Sequence, residues 1–111
     1  MGSSDEVYLR ALRERRRKQL QRLAEAAEGM AETAEMSARV HDQMARQQPA
    51  AAEHADRERM LAAAEREAAK AFRAGELPSA ASREAIRASG SRVGDQGADD
   101  QGVERRATEG R

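Results

Sequence analysis

The chain has 111 residues, no cysteine, no tryptophan and a single residue each of Tyr and Phe, and its 20 acidic residues balance its 20 basic ones. That length suits one small domain, and zero net charge excludes a whole-molecule field that would draw in nucleic acid or an anionic membrane. The missing cysteine removes disulfides, thiolate catalysis and thiolate metal ligands, and it fits a reducing compartment.

The hydrophobic fraction of 39% overstates the core, because 25 of the 43 residues in that class are alanine. Ordering a residue costs roughly 1.5 kcal/mol and burying a Leu or Met returns only about 1.5 to 3, so self-association or marginal stability is expected.

The first residues, Met1-Gly2-Ser3-Ser4-Asp5-Glu6, carry neither the basic start nor the apolar run of a secretion signal, so the cytoplasm is the expected location. Glu6 occupies the position where a myristoylation signal requires Ser or Thr. Ser3, Ser4 or Asp5 can cap a helix, and good helix formers continue without proline to Gln47. A first helix over about 4–47 follows. At 100° per residue, Leu9, Leu12, Leu20, Leu23, Met30, Ala34, His41 and Met44 share one face, opposite Arg10, Glu14, Arg17, Gln21, Glu25, Glu28, Glu32 and Arg39. Gly29 falls towards the polar side.

Pro49 separates this helix from a second apolar stripe, His54, Arg57, Leu61, Ala64, Ala68 and Ala71. Were helical phase continuous, the two stripes would lie roughly 130° to 150° apart, so a turn at Gln47-Gln48-Pro49 is predicted, with proline in the first turn of the next helix. The second helix spans about 50–74, Gly75 caps it and Pro78 enforces the stop. An antiparallel hairpin then sets Met44 beside His54, His41 against Arg57, Ser37 beside Leu61, Ala34 beside Ala64, Met30 beside Ala68 and Ala27 beside Ala71. Leu20, Leu23, Met30, Met44, Leu61 and Phe72 are expected to supply most of its buried area. A short helix over about 79–89 lies between the capping Ser79 and Gly90, with Ile86 and Leu77 expected to dock near Leu20, Leu23 and Phe72. Residues 91–111, with only Val93 and Val103 as apolar anchors, are expected to be disordered.

The fold class that follows is all-α: a long, coiled-coil-like antiparallel two-helix hairpin with a short third helix, forming one unit over 1–90, and a disordered tail over 91–111. In composition, residues 4–90 resemble the small Ala/Arg/Glu-rich helical proteins of bacteria with GC-rich genomes, a resemblance without a diagnostic motif that implies no function.

Two segments carry the functional expectations. Residues 9–22 hold Arg10, Arg13, Arg15, Arg16, Arg17, Lys18 and Arg22 against Glu14 alone, a net of +6, whereas residues 24–76 carry eleven acids and seven bases, a net of −4. Such a basic segment can grip a phosphate backbone or an acidic partner. Its charges nevertheless point nearly all round the axis, and no aromatic side chains interleave to stack bases. Arg16 interrupts the apolar stripe between Leu12 and Leu20. The second helix is too short to reach past about Leu20, so Val7, Tyr8, Leu9 and Leu12 form an unpartnered apolar patch rimmed by arginines, a candidate docking surface.

The two histidines, His41 and His54, are too few for a zinc site, and no metal or cofactor is expected. The glutamates sit at intrahelical spacings with no concave site, and the tail glycines do not join a strand to a helix, so neither an acid–base pair nor a phosphate loop is present for catalysis or a small-molecule substrate. The thin leucine face and missing aromatic anchors argue against a membrane-surface helix. The expected role is therefore non-enzymatic: a helical interaction or scaffold module that binds a protein partner or itself. The alternative is a nucleic-acid-associated protein that uses residues 10–22.

Overall fold

The computed structural model describes residues 3–90, three helices with no strand among them. Helix α1 runs Ser4–Met44, α2 runs Ala51–Arg73, and α3 covers 80–90. The expectation of disorder for 91–111 lies outside the described residues.

The helix ends follow local chemistry. At the N-terminus of α1, Ser3 is extended and its hydroxyl accepts from the Glu6 amide at 3.2 Å, with Asp5 and Glu6 on the positive end of the helix dipole. The helix stops at Met44, three residues before the position expected, because proline disfavours a helical conformation for Gln48. The Met44 carbonyl instead accepts from both Gln47 and Gln48, and the amides of Ala51 and Ala52 bond to Gln48 and Pro49 as the chain re-enters a helix. Pro49 sits in that lead-in turn, where its missing N–H leaves no bond unmade.

Helix α2 ends in a left-handed glycine cap: Gly75 has φ of 77°, its amide bonds to Phe72, and the Glu76 amide reaches back to Ala71. These two bonds form a Schellman motif, which a side chain bearing a Cβ would strain. Ser79 caps α3 through its Oγ, which accepts from the Ser82 amide at 3.1 Å.

The two long helices pack antiparallel through alanine. Among the described residues, Pro78 apart, all eleven buried apolar residues are alanine, and no large side chain is fully buried. On α1 the buried positions are Ala24, Ala27, Ala31, Ala34 and Ala38, and His41 and Ala45, partly buried, continue the same alternating spacing of three and four. Ala51, Ala55, Ala62 and Ala69, with Glu58 and Glu65 between them and Phe72 after them, repeat that heptad pattern on α2.

This seam departs from expectation in two respects. The contact face of α1 is rotated by roughly 60° from the predicted stripe, replacing Met30, Ser37 and Met44 by Ala24, Ala31 and Ala38. Met30 and Met44 are 54% and 42% exposed and Leu23 is 42% exposed, while Leu20, Leu61 and Phe72 are half-buried, so these large residues do not supply the core. The register is also shifted by about two residues. Ala27 clusters with Ala68 and Ala69 instead of sitting beside Ala71, and Ala34 clusters with Ala62 and Leu61 instead of Ala64. The turn centres on Gln47 and Gln48, one position before the predicted centre, and each residue of displacement at the turn shifts the pairing by two.

One edge of the seam carries ion pairs at seven-residue spacing. Arg59 pairs with Asp42, Arg66 with Glu35 at 2.5 Å, and Arg73 with Glu28 at 2.5 Å. Glu28 therefore borders α2 and does not belong to the outer face, where sequence periodicity put it. At the turn end of the hairpin, His41 faces Glu58, not Arg57, with Nδ1 2.6 Å from Glu58 Oε1, and its ring stacks on that of His54 at 5.4 Å between centroids. Arg57 donates to His54 Nδ1 at 3.1 Å.

Helix α3 covers the other end. Ile86 packs against the cluster of Ala24, Ala27, Ala68 and Ala69, and Pro78 is buried, but Leu77, expected to dock with Ile86, is 76% exposed.

Candidate interaction surface

Helix α1 has 41 residues and α2 only 23, so an antiparallel pair joined by a tight turn leaves the start of α1 without a neighbour among the described residues. Residues 4–19 are exposed throughout. Val7, Tyr8, Leu9 and Leu12 are 63%, 65%, 48% and 41% exposed, a concentration of large apolar surface on one short segment.

That segment is the start of a longer feature. Leu23, Met30, Val40 and Met44 are likewise 42% to 55% exposed. Positions 9, 16, 23, 30, 37 and 44 are spaced by seven, positions 12, 19, 26, 33 and 40 interleave three residues after the first five, and together they read Leu9, Leu12, Arg16, Gln19, Leu23, Ala26, Met30, Thr33, Ser37, Val40 and Met44. This is a second heptad seam along α1, set one residue before the alanine seam that holds α2 and so turned by about 100° from it. Sequence periodicity assigned Met30 and Met44 to the hairpin core and so recovered only its first turns. The signal that could have found the rest was the seven-residue spacing that carries Leu9, Leu23, Met30 and Met44, interrupted at Arg16 and Ser37.

Midway along α1, Leu23, Ala26 and Met30 form one wall of an open groove of about 550 Å³, with Phe72, Leu77 and Ile86 among the residues opposite. Glu65 also reaches this groove. Only 6% of its surface is exposed, and burial pushes its carboxyl above the ordinary 4.5.

The basic residues are divided by the helix into two sets. Arg13, Arg16 and Arg17 line a second open groove of about 590 Å³ at the end of α2, together with Leu20, Phe72 and Arg73. Arg10, Arg15, Lys18 and Arg22 are exposed elsewhere on the helix and line neither groove. Arg17 is tied to Glu14 at 2.6 Å, and this hydrogen bond holds the Glu14 carboxyl below its ordinary value. Likewise the Arg73 and Arg66 guanidinium groups lower Glu28 and Glu35, chiefly through their hydrogen bonds.

Among the described residues, no group of three or more His, Cys, Asp or Glu side chains is placed to hold a metal ion. None of the described helices is long and apolar enough to cross a membrane. No known protein family, curated protein or solved structure matches the chain.

Proposed function

We propose that the chain is a non-enzymatic helical interaction module, and that α1 offers its second seam, from Leu9 to Met44, to a protein partner. The observation that supports this reading is the inverted placement of apolar residues: the hairpin is closed by alanine, while Leu9, Leu12, Leu23, Met30 and Met44 of α1 stand at heptad spacing in solvent. Burying a Leu or Met side chain is worth about 1.5 to 3 kcal/mol, so a helix laid along this seam gains more than the alanine contacts can supply. Backbone approach through alanine fixes the geometry of the platform, and the larger side chains give it something to bind with. The cysteine-free composition fits work in a reducing, cytoplasmic setting.

A photoreactive amino acid at position 12 tests this reading in cells, with position 14 on the opposite side of α1 as the control. The expected result is a discrete protein adduct from position 12 that is lost when Leu9 is replaced by Glu. Equal adducts from both positions, or none from either, would overturn it.

A second reading is favoured by the groove that gathers Arg13, Arg16, Arg17 and Arg73. Guanidinium groups facing one groove suit a polyanion such as a nucleic-acid backbone, and phosphate contacts strengthen steeply as salt falls. Titrating labelled DNA and RNA at two salt concentrations decides it: no binding at low salt removes this reading.

A further inference from the structure

Taking the interaction reading as its basis, we infer that the occupant of the second seam is a second copy of this chain, with its α1 antiparallel to the first. The argument is charge complementarity within α1 itself. Residues 9–22 carry +6, whereas residues 24–44 carry five acids against the single base Arg39, a net of −4. A parallel pair would stack the basic thirds on each other. An antiparallel pair sets each basic third against the acidic stretch of the other copy and satisfies both at once.

The seam selects a register. Layers that interleave the two heptad positions bring Leu9 against Val40, Leu12 against Ser37, Arg16 against Thr33, Gln19 against Met30 and Leu23 against Ala26 of the second copy. Large residues meet smaller or flexible ones in each layer, as packing without voids requires. In this register Arg15 and Arg22 border the seam on the side away from α2, and along the axis they lie within a helical turn of Glu32 and Glu25 of the second copy.

The ion pairs already formed sharpen the point. Glu28, Glu35 and Asp42 are engaged by the arginines of α2, whereas Arg15, Lys18, Arg22, Glu25 and Glu32 form no ion pair among the described residues. Of the α1 charges that form no such pair, Arg15 and Arg22 are the ones that the antiparallel register sets beside Glu32 and Glu25. The area is adequate: a strip about 60 Å long and about 10 Å wide covers roughly 600 Å² per copy, near 1,200 Å² in total, at the lower end of specific interfaces. The helix of the second copy would also close the open side of the groove at Leu23 and Met30.

Light scattering on the full chain from low micromolar to about 100 µM tests the assembly, and the expected mass is twice the 12.1 kDa of one chain. The double substitution Leu9→Glu and Leu12→Glu returns it to a single chain mass with helix content unchanged, since both residues are exposed and no other helix among the described residues reaches them. A wild-type chain that stays at single mass throughout overturns the inference.

Orientation is read by cross-linking, which the cysteine-free sequence permits. A mixture of Arg16→Cys and Thr33→Cys chains forms a disulfide-linked pair under mild oxidation. Either variant alone does not, because like positions lie about 25 Å apart in the antiparallel register. Self-linking of Arg16→Cys alone overturns the antiparallel arrangement. The photo-adduct from position 12 separates this inference from the reading beneath it. An adduct containing a second copy supports both, and an adduct with a different protein, from a chain of single mass, refutes self-pairing but leaves the module reading intact.

Discussion

At the residue scale, substitutions divide according to whether the backbone or a neighbour decides their effect. Gly29 lies in the middle of α1 with open space where a Cβ would be, so Gly29→Ala is expected to stabilise the fold by about 1 kcal/mol through helix propensity. Gly75 also has open space, but its φ of 77° makes Gly75→Ala destabilising, by about 1 kcal/mol. Thermal melts that moved both variants in the same direction would contradict this contrast. Glu65 gives a pH-dependent case. Its carboxyl is raised by burial in the folded chain, so the fold prefers it protonated and the ionised form weighs against folding above the unfolded value of 4.5. Glu65→Gln is therefore expected to raise the melting temperature at pH 7 and to lose that advantage as the pH falls below about 4.5, where both states carry the proton.

At the element scale, the alanine seam is intolerant and its ion-paired edge is adjustable. Ala34 is 6% exposed among Ala31, Ala62 and Leu61, so Ala34→Glu buries a charge between two close backbones and should cost more than 3 kcal/mol, against about 0.5 or less for Glu32→Ala on the exposed side. Similar melts for the two variants would refute the seam. The rungs at Glu28 and Glu35 have lowered carboxyl values. Their stabilisation is fully present above 4.5 and fades as the pH drops through those lowered values, and added salt weakens it in the same way. Arg66→Ala should flatten that acid dependence measurably in melts taken on either side of pH 4.5.

The elements were legible in the sequence because their ends are marked by local signals: Ser3, Pro49, Gly75 and Ser79 each act within a few residues. The packed face of α1 was less legible. With alanine at 24, 26, 27, 31, 34 and 38, two adjacent faces compete, and the presence of methionine on one of them suggests burial. Close approach through the smaller residues wins instead, and it leaves the methionines outside. The residue pattern that resolves the choice is the matched spacing of Glu28, Glu35 and Asp42 with Arg59, Arg66 and Arg73, which periodicity of apolar residues alone does not register. The candidate surface suffered from the same ambiguity, so its first turns at Val7 to Leu12 were visible and its continuation to Met44 was not.

At the scale of the whole molecule, order should be graded along α1. Amides of residues 24–41 are covered by α2, while among the described residues those of 4–19 have only their own helix, so hydrogen exchange in the Leu9→Glu, Leu12→Glu chain is expected to be faster by at least tenfold in the second group. Uniform protection along the helix would show that the free start is held by something within the same chain.

The alanine seam also has a thermal consequence. The heat capacity released on unfolding follows the apolar area exposed, and a methyl group exposes far less than a leucine side chain. A hairpin closed by eleven alanines should therefore unfold with a heat-capacity increment per residue below the usual 12 to 15 cal/mol/K, which calorimetry can measure directly. Its stability curve is then broad and shallow, so the platform that carries the second seam changes little in stability over a wide span of temperature, and cooling does little to undo it.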